Sequence, residues 1–233
     1  MAVIFSILGA ALLYMIPKPE QKTTGEAKSW AMILGGFSFI RAERVVLGAI
    51  SLDLFAVLLG GATALMPIFA RDILTLGPWG LGLLRAAPGL GAIVMAIFLA
   101  AYPLKHRAGL YMFIGVALFG LGTIVFGIST NTEVSIAALA LMGAADMVSV
   151  YVRESLIALW TPDHLRGRVN AVNMVFVGAS NELGEFRAGT MASIFGAVPA
   201  VVIGGIGTLA VAAIWASSFP KLRQIDTLDA PST

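Results

Sequence analysis

Long apolar stretches constrain this chain more than any other feature of its sequence. Seven of them follow one another, separated by short polar connections. They cover residues 2–16, 45–70, 79–103, 109–128, 134–160, 169–195 and 196–218. A membrane core about 30 Å thick takes roughly 20 helical residues to cross, and every stretch but the first reaches that length. Each of those six predicts a membrane-spanning helix, and the short first stretch predicts the end of another.

The composition excludes several other classes of protein. Hydrophobic residues make up 58% of the chain and charged residues only 12%, against about 25% charged residues in a soluble domain. The net charge is +2, and the bases lie in short loops rather than on one face, so nucleic-acid binding is not predicted. The absence of cysteine excludes disulfides, thiolate metal sites and cysteine nucleophiles. The lipid bilayer is therefore the first predicted partner.

The segment between the first two stretches has two parts. Its beginning is polar and predicts a loop, whereas residues 27–43 alternate apolar and basic positions. We expect residues 27–43 to form a helix on the membrane surface, with a buried linker helix as the alternative.

Lysine and arginine concentrate on one side of the predicted spans. One set of loops holds eleven of them, and the opposite set holds only Arg71. The eleven are Lys18, Lys22, Lys28, Arg41, Arg44, Lys105, Arg107, Arg166, Arg168, Lys221 and Arg223. Since basic short loops stay in the cytoplasm, we expect this side and the C-terminus to be cytoplasmic. Seven spans then put the N-terminus outside without a signal sequence, so we expect the natural protein to begin earlier.

Charged side chains inside the predicted spans follow a repeating order. Two spans that contain charges precede one that contains none, and the same order then recurs. The charged residues are Asp53, Arg85, Asp146, Arg153, Glu154, Glu182, Glu185 and Arg187. This order is typical of two three-helix repeats whose third helices face lipid, as in secondary transporters with a site between the repeats. A chance pattern is the alternative.

The depth of each charge predicts its partner. Asp53 and Arg153 both lie roughly 10–12 Å from the cytoplasmic edge, at 1.5 Å per helical residue, so we expect them to pair. Arg85 lies near the opposite edge and is predicted to pair with Glu185 or Glu182.

Two carboxylates, Asp146 and Glu182, lie closest to the middle of their spans. Burial disfavours an ionised carboxylate, so each is a candidate for proton coupling or for contact with a polar or cationic substrate. A structural hydrogen bond between helices is the alternative for each. Glu182 belongs to a polar stripe that also holds Asn181 and Glu185, and this side of the helix cannot face lipid.

Four segments together identify a resemblance. They are "DLFAVLLGGATALMPIFARDIL" (53–74), "GLGLLRAAPGLGA" (80–92), "GAADMVSVYVRESLIALWTPDHLRGRVNAVN" (143–173) and "GASNELGEFRAG" (178–189). They resemble the major facilitator superfamily, and more narrowly its enterobactin-exporter-like branch of transmembrane secretion effectors. The resemblance implies an all-α membrane protein, the C-terminal six-helix bundle of a twelve-helix transporter plus the remnant of a preceding helix.

The resemblance also implies a division of the chain. Residues 1–16 would end the sixth helix, 17–44 would form the central cytoplasmic loop with an interfacial helix, and 45–220 would form helices seven to twelve. Residues 221–233 would be a cytoplasmic tail. The ninth and twelfth helices are peripheral in this fold. The protein would lie in the plasma (inner) membrane, crossing it several times.

The function implied by the resemblance is export of small amphipathic molecules, of the siderophore or drug class, coupled to protons. The implied substrate and proton pathway consists of Asp53, Arg85, Asp146, Arg153, Glu154, Asn181, Glu182, Glu185 and Arg187. A cytoplasmic gate would contain Asp163, Arg166 and Arg168. No cofactor or metal is implied. One departure concerns the loop "AYPLKHRAG" (101–109), which keeps the family's bases but lacks its Asp.

Two other functions are weighed against export. A truncated, transport-incompetent membrane protein would act only by association with a partner half, because alternating access needs two halves. The missing N-terminal half or a partner chain is therefore an expected partner. An intramembrane enzyme is not expected, since the only histidines, His106 and His164, lie in loops and no catalytic constellation is visible.

Overall fold

The computed structural model describes residues 30–229, and within that range it is built of helices without a strand. Its long helices are α1 (Trp30–Ala42), α2 (Arg44–Gly60), α3 (Pro78–Ala101), α4 (Ala108–Ile128), α5 (Thr132–Trp160), α6 (Asp163–Phe195) and α7 (Ala197–Ser218), followed by the short α8 (Pro220–Arg223). The predicted all-α membrane fold is confirmed. The stretch predicted at residues 2–16 lies outside the described residues.

The first spanning helix is discontinuous. α2 ends at Gly60, and the chain continues through three short helical turns of different pitch. These are a 3-10 turn, Ala62–Leu65, an α turn, Met66–Ile68, and a π turn, Phe69–Ile73. Turns of this kind inside a membrane are tolerated where protein or a cavity surrounds them.

Within residues 30–229, five segments are long and apolar enough to cross a membrane. They are Arg44–Ile73, Pro78–Ala101, Ala108–Ile128, Thr132–Trp160 and Ala197–Ser218. The sixth predicted span falls on α6, which is 33 residues long and packs against α2 and α7. Its polar stripe leaves it less apolar than the other five, so length and packing, rather than composition, place α6 in the bundle.

The start of α6 corrects a prediction. The sequence predicts a loop before residue 169, but the helix already begins at Asp163. Pro162 precedes the first turn, where its missing N–H costs nothing, and the carboxylate of Asp163 suits the positive end of the helix dipole. The segment "PDHLRGR" is therefore mostly helical.

α1 also differs from the surface helix that was predicted. It is present as Trp30–Ala42, but Ile40 is only 1% exposed and packs with Val46, Ile157 and Val169. A Cβ added to Gly36 would lie 2.9 Å from backbone atoms of Arg168, so α1 touches α6 closely. The alternative of a buried linker helix describes this side of α1, while Phe37 and Arg41 remain exposed.

The two charge-free spans, α4 and α7, are less peripheral than the sequence predicts. They pack on each other, and a Cβ on Gly205 would lie 2.8 Å from the carbonyl oxygen of Gly120. In the most apolar 18-residue stretch of α4, 50% of the residues are buried. In the corresponding stretch of α3, the most exposed of these spans, 17% are buried. A helix without charges is therefore not necessarily peripheral, because its small residues let it approach its neighbours closely.

Candidate functional site

The two most buried charged side chains among the described residues form an ion pair between α2 and α5. A guanidinium nitrogen of Arg153 contacts a carboxylate oxygen of Asp53, and both residues are buried, at 4% and 6% exposure. The pairing predicted from their depth is therefore present. Two opposite charges at this depth are tolerated only as partners, because each alone would be an uncompensated charge.

Two further polar side chains extend this pair toward α6. The Nε of Arg153 lies 3.3 Å from a carboxylate oxygen of Glu154, and the amide of Asn173 donates to the same oxygen at 3.1 Å. We call Asp53, Arg153, Glu154 and Asn173 the Arg153 cluster. It links three helices through side chains alone. Asn173 lies on α6, and nothing in the sequence indicated its bond to Glu154.

Asp146 lies between two cavities next to this cluster. A cavity of about 180 Å³ reaches from α2 to α6 and is lined by Asp146, Asn181 and Glu185 together with apolar residues. A second cavity, of about 10 Å³, separates Asp146 from Asp53. Within the described residues, the carboxylate of Asp146 has no ion-pair partner. Asp146 is thus a mostly buried acid that faces both the larger cavity and the ion pair.

A more open cavity, of about 560 Å³, holds Arg85 and Glu185 on its lining. The sequence predicts an ion pair between Arg85 and Glu185 or Glu182. Within residues 30–229 no such pair forms, and all three side chains are exposed. Depth along a helix does not specify the direction around its axis, and three side chains at a similar depth need not face one another. This prediction is therefore wrong for the structure described.

Arg187 contacts backbone rather than a charged side chain. Its Nε donates to the carbonyl of Leu58 at 2.9 Å, and a second guanidinium nitrogen donates to the carbonyl of Leu59. These carbonyls stand at the C-terminal end of α2, where helical partners run out and the helix dipole is negative. The structure therefore places Arg187 as a cap on the broken helix, with no carboxylate partner among the described residues.

Glycine makes this capping possible at three crossing helices. Gly61, which follows α2, adopts φ +34, and a Cβ there would lie 2.7 Å from the carbonyl of Gly184. A Cβ on Gly204 of α7 would lie 2.5 Å from the carbonyl of Leu59 and 3.2 Å from the Arg187 guanidinium. Bulkier residues at these crossings would push the helices apart and away from Arg187.

The residues predicted for a gate lie at the start of α6. Arg166 pairs with Asp163 at 2.8 Å, three residues apart on one helix, and both side chains are largely exposed. Such a pair stabilises a helix turn by only about 0.3–0.5 kcal/mol. Arg168 lies beside α1, with a guanidinium nitrogen 3.7 Å from the position of a Cβ on Gly35. The three residues are thus close in the fold, but Asp163 and Arg166 pair within one helix.

The C-terminal segment holds the loop before α4, which the sequence did not predict. Asp226 accepts from the backbone N–H of Arg107 at 2.9 Å and contacts the ring of His106 at 2.8 Å. The carbonyls of Asp226 and Ile225 accept from the N–H groups of Ala108 and Gly109. The bond with His106, followed by that from Arg107, lowers the pKa of Asp226.

We call the contact of residues 222–229 with the loop before α4, and with the start of α4, the tail clasp. Trp160 donates to the carbonyl of Asp229 at 3.1 Å, and Leu222 is buried. A signal for it existed in the sequence, since no Ser, Thr, Asp or Asn precedes α4 to accept from its first N–H groups. That signal says that an acceptor is needed but not where it comes from.

No cluster that could hold a metal ion occurs among the residues described, as no three histidine or acidic side chains converge. The charged residues of the bundle are instead arranged around cavities and around each other.

Almost the whole chain is similar to known proteins. The family model for transmembrane secretion effectors matches residues 2–233. Among curated proteins, the enterobactin exporter EntS of Escherichia coli O1:K1 / APEC is 24% identical over 94% of this chain and 52% of its own length. The same values hold for EntS of Escherichia coli O139:H28 (strain E24377A / ETEC) and of Shigella boydii serotype 18 (strain CDC 3083-94 / BS512). The chain spans about half the length of the curated relatives it matches.

Proposed function

This chain belongs to the transmembrane secretion effector family of the major facilitator superfamily, and we propose that it forms the C-terminal half of a secondary active exporter. Proteins of this superfamily are transporters rather than enzymes. The observation that carries the proposal is the buried Asp53–Arg153 pair beside the cavity that Asp146 lines. Charges at membrane depth that face a cavity mark substrate or proton pathways.

The proposed substrates are small amphipathic molecules of the siderophore or drug class. The relatives named above are enterobactin exporters, which supports this class at the level of the family. The 180 Å³ cavity has both apolar and charged walls, as an amphipathic ligand would require. Its lining includes the apolar Val57, Phe119 and Met142 and the acidic Asp146 and Glu185. A cavity with an apolar wall and a few polar groups suits a ligand with both kinds of surface.

The proposed driving force is a proton gradient, with Asp146 and Glu182 as candidate coupling residues. Asp146 is the better placed of the two, because it lines both cavities next to the Arg153 cluster. Glu182 is exposed on α6 and would reach a pathway only if another half of the protein covered that face. We place the basic loops and the C-terminus in the cytoplasm.

A partner half completes the proposal. Alternating access requires two halves that rock about a shared site, and this chain supplies one bundle. α6 exposes Glu182 and Glu185 next to Leu183 and Phe186, a mixture suited to neither lipid nor water alone. This face also supports the second candidate, a protein that is transport-incompetent by itself and acts only in association with a partner half.

The test is efflux of a fluorescent amphipathic dye and of a siderophore from cells producing the complete protein that carries this chain. We expect efflux that collapses with the proton gradient and is lost in Asp146→Asn. Glu133→Gln is the matched control, since Glu133 is an exposed acid in the first turn of α5, far along the helix from Asp146. If Asp146→Asn and Glu182→Gln both kept proton-dependent efflux, the coupling role would be abandoned.

A cross-linking experiment separates the two candidates. A chain that associates with a separate partner half gives a cross-linked species from positions on the exposed face of α6, such as Leu183→Cys. The cysteine-free background makes that residue the single reactive thiol. Efflux without such a partner would exclude the second candidate.

A further inference from the structure

We propose that the small cavity between Asp53, Asp146 and Ser149 holds one water molecule, and that this water carries a proton between the two carboxylates. The inference rests on the proposed export function and assigns its proton path. Ser149 would be the positioning residue that holds the water, a role that the polar pattern of the sequence did not indicate.

The hydroxyl of Ser149 is the first observation behind this assignment. Ser149 is 2% exposed, and its oxygen has no hydrogen-bond partner among the described residues. It lines the small cavity together with Asp53 and Asp146. Buried hydroxyl groups in proteins are nearly always bonded to protein or to ordered water, so this group points to a ligand in the cavity.

The size of the cavity selects that ligand. Its volume of about 10 Å³ is close to the space that one water molecule requires. A water there has three polar neighbours, which are the Asp146 carboxylate, the Asp53 carboxylate and the Ser149 hydroxyl. Buried waters typically make about three hydrogen bonds, so the site offers what a single water needs.

Helix geometry makes the three groups of α5 into a column. Asp146, Ser149 and Arg153 are spaced three and then four residues apart, so they share one face of α5. Asp53 on α2 faces the end of this column through its contact with Arg153. The column thus runs from the 180 Å³ cavity, which Asp146 lines, to the buried ion pair.

Charged side chains surround Asp146 from three helices. α2 contributes Asp53, α5 itself contributes Arg153 and Glu154, and α6 contributes Glu185 across the larger cavity. α3 and α4 contribute only Pro88, Val116 and Phe119 to the two linings. Arg153 therefore contacts two acids, Asp53 and Glu154. Asp146 and Glu185 have no ion-pair partner among the described residues, and of these two only Asp146 lines both cavities.

Proton transfer through the water would change the partners of Arg153. The Asp146 carboxyl gives its proton to the water, and the water gives one of its own to the Asp53 carboxylate. Asp146 ends ionised, Asp53 ends neutral, and the water is unchanged. Arg153 then keeps Glu154, which already lies 3.3 Å from its Nε, and through Glu154 it stays linked to Asn173 on α6.

The first experiment is infrared difference spectroscopy of the purified full chain in nanodiscs during an acid jump. We expect the carbonyl stretching band of a protonated carboxyl group, which Asp146→Asn removes. Ser149→Ala should move this band to higher frequency, because the carboxyl group loses its bond to the positioned water. Ser135→Ala is the matched control: Ser135 is also buried on α5 with a hydroxyl lacking a partner among the described residues, yet it lines neither cavity.

A second measurement needs no variant that alters packing. In the wild-type chain, exchange into water labelled with heavy oxygen should shift an O–H stretching band that appears together with the carboxyl band. A carboxyl band that survives in Asp146→Asn would overturn the assignment. So would a band that Ser149→Ala leaves unmoved, or the absence of any heavy-oxygen shift.

Efflux by the complete protein supplies the functional readout. Ser149→Ala should lower proton-driven efflux roughly tenfold, the value of one well-placed hydrogen bond, and should change its pH profile, whereas Ser135→Ala should leave the profile unchanged. If the infrared shifts appear but the wild-type protein shows no efflux, the water site stands and the export function fails. If efflux is proton-driven and the infrared shifts are absent, the export function stands and this inference fails.

Discussion

Arg153 is buried and Arg187 is half-buried, and the two arginines have different kinds of hydrogen-bond partner. Arg153 contacts the carboxylates of Asp53 and Glu154, which can gain protons. Arg187 contacts the backbone carbonyls of Leu58 and Leu59, which cannot. The difference teaches that a charge inside a membrane bundle is not by itself evidence of a moving part. The partners of Arg153 can be exchanged by protonation, whereas those of Arg187 are fixed by the chain.

The positions of the two arginines fit this division. Arg153 lies beside the cavities, in the part of the bundle where Asp146 is placed. Arg187 lies where three helices cross through glycines, next to the end of α2. Protonation near the cavity would change the contacts of Asp53 in the middle of α2. The Arg187 cap would hold the C-terminal end of α2 in place.

The largest effect is expected from splitting the Arg153 pair. Asp53→Leu leaves Arg153 buried without its main partner and should lower the free energy of unfolding by about 3–5 kcal/mol. The double variant Asp53→Leu/Arg153→Met should regain most of this loss, since no lone charge remains. Unfolding in mixed micelles containing a denaturing detergent measures both.

Asp72→Asn, which breaks the exposed pair of Asp72 with Arg71, is the control and should show no measurable change. A double variant less stable than either single one would contradict the pairing.

Removal of the Arg187 cap should have a smaller effect. Arg187→Met leaves the carbonyls of Leu58 and Leu59 without donors and should cost about 1–3 kcal/mol of unfolding free energy. Arg187→Lys should recover only part, because one ammonium group does not reproduce the fork of the guanidinium. The loss should be the same from pH 5 to pH 9, since the partners of Arg187 do not titrate. A pH-dependent loss would show that Arg187 also serves a carboxylate and would end the contrast with Arg153.

The helix break itself gives the third test of the contrast. Gly61→Ala puts a side chain at φ +34, with its Cβ about 2.7 Å from the carbonyl of Gly184. We expect the free energy of unfolding to fall by about 1–2 kcal/mol. The guanidinium protons of Arg187 should also exchange faster with solvent. Gly178→Ala is the control, because a Cβ there meets nothing within 4 Å. Wild-type stability for Gly61→Ala would mean that the break does not depend on a left-handed residue.

Much of this arrangement follows from the sequence, and the exceptions have physical causes. The order and approximate ends of the spans follow from apolar length, and the Asp53–Arg153 pair follows from two opposite charges at equal depth. Arg85 and Glu185 also share a depth, but their directions around the helix axes depend on packing that depth does not encode. The failed pair and the successful one therefore came from the same rule.

The sequence could not predict the partners of Arg187. Carbonyls accept a side chain inside a membrane only where a helix has ended, and the end of α2 at Gly60 depends on the left-handed Gly61. Two adjacent glycines in an apolar stretch equally well indicate close packing. The polarity of Arg187 was visible, but its acceptors appeared only with the fold.

The tail clasp extends the comparison to an exposed contact between the Asp226 carboxylate and the His106 ring, where the smallest effect is expected. Asp226 and His106 are both exposed, so their contact should hold the tail in place without changing global unfolding. The pKa of Asp226 is lowered in the folded chain, chiefly by His106. Its contribution is therefore complete above the ordinary aspartate pKa, near 4, and disappears as the pH falls through the lower folded value.

A spin label on Thr227→Cys reports this contact, since residues 1–233 contain no cysteine of their own. We expect an immobile label at neutral pH and a mobile one well below pH 4. Asp226→Asn should free the label already at neutral pH and remove most of the pH dependence. Asp229→Asn is the matched control, because Asp229 contributes only its backbone carbonyl, to Trp160. A label that stays immobile in Asp226→Asn would show that the backbone bonds to α4 and the burial of Leu222 hold the tail without the carboxylate. The exposed contact between Asp226 and His106 would then be dispensable for holding the tail, whereas the buried Asp53–Arg153 pair is needed for the stability of the bundle.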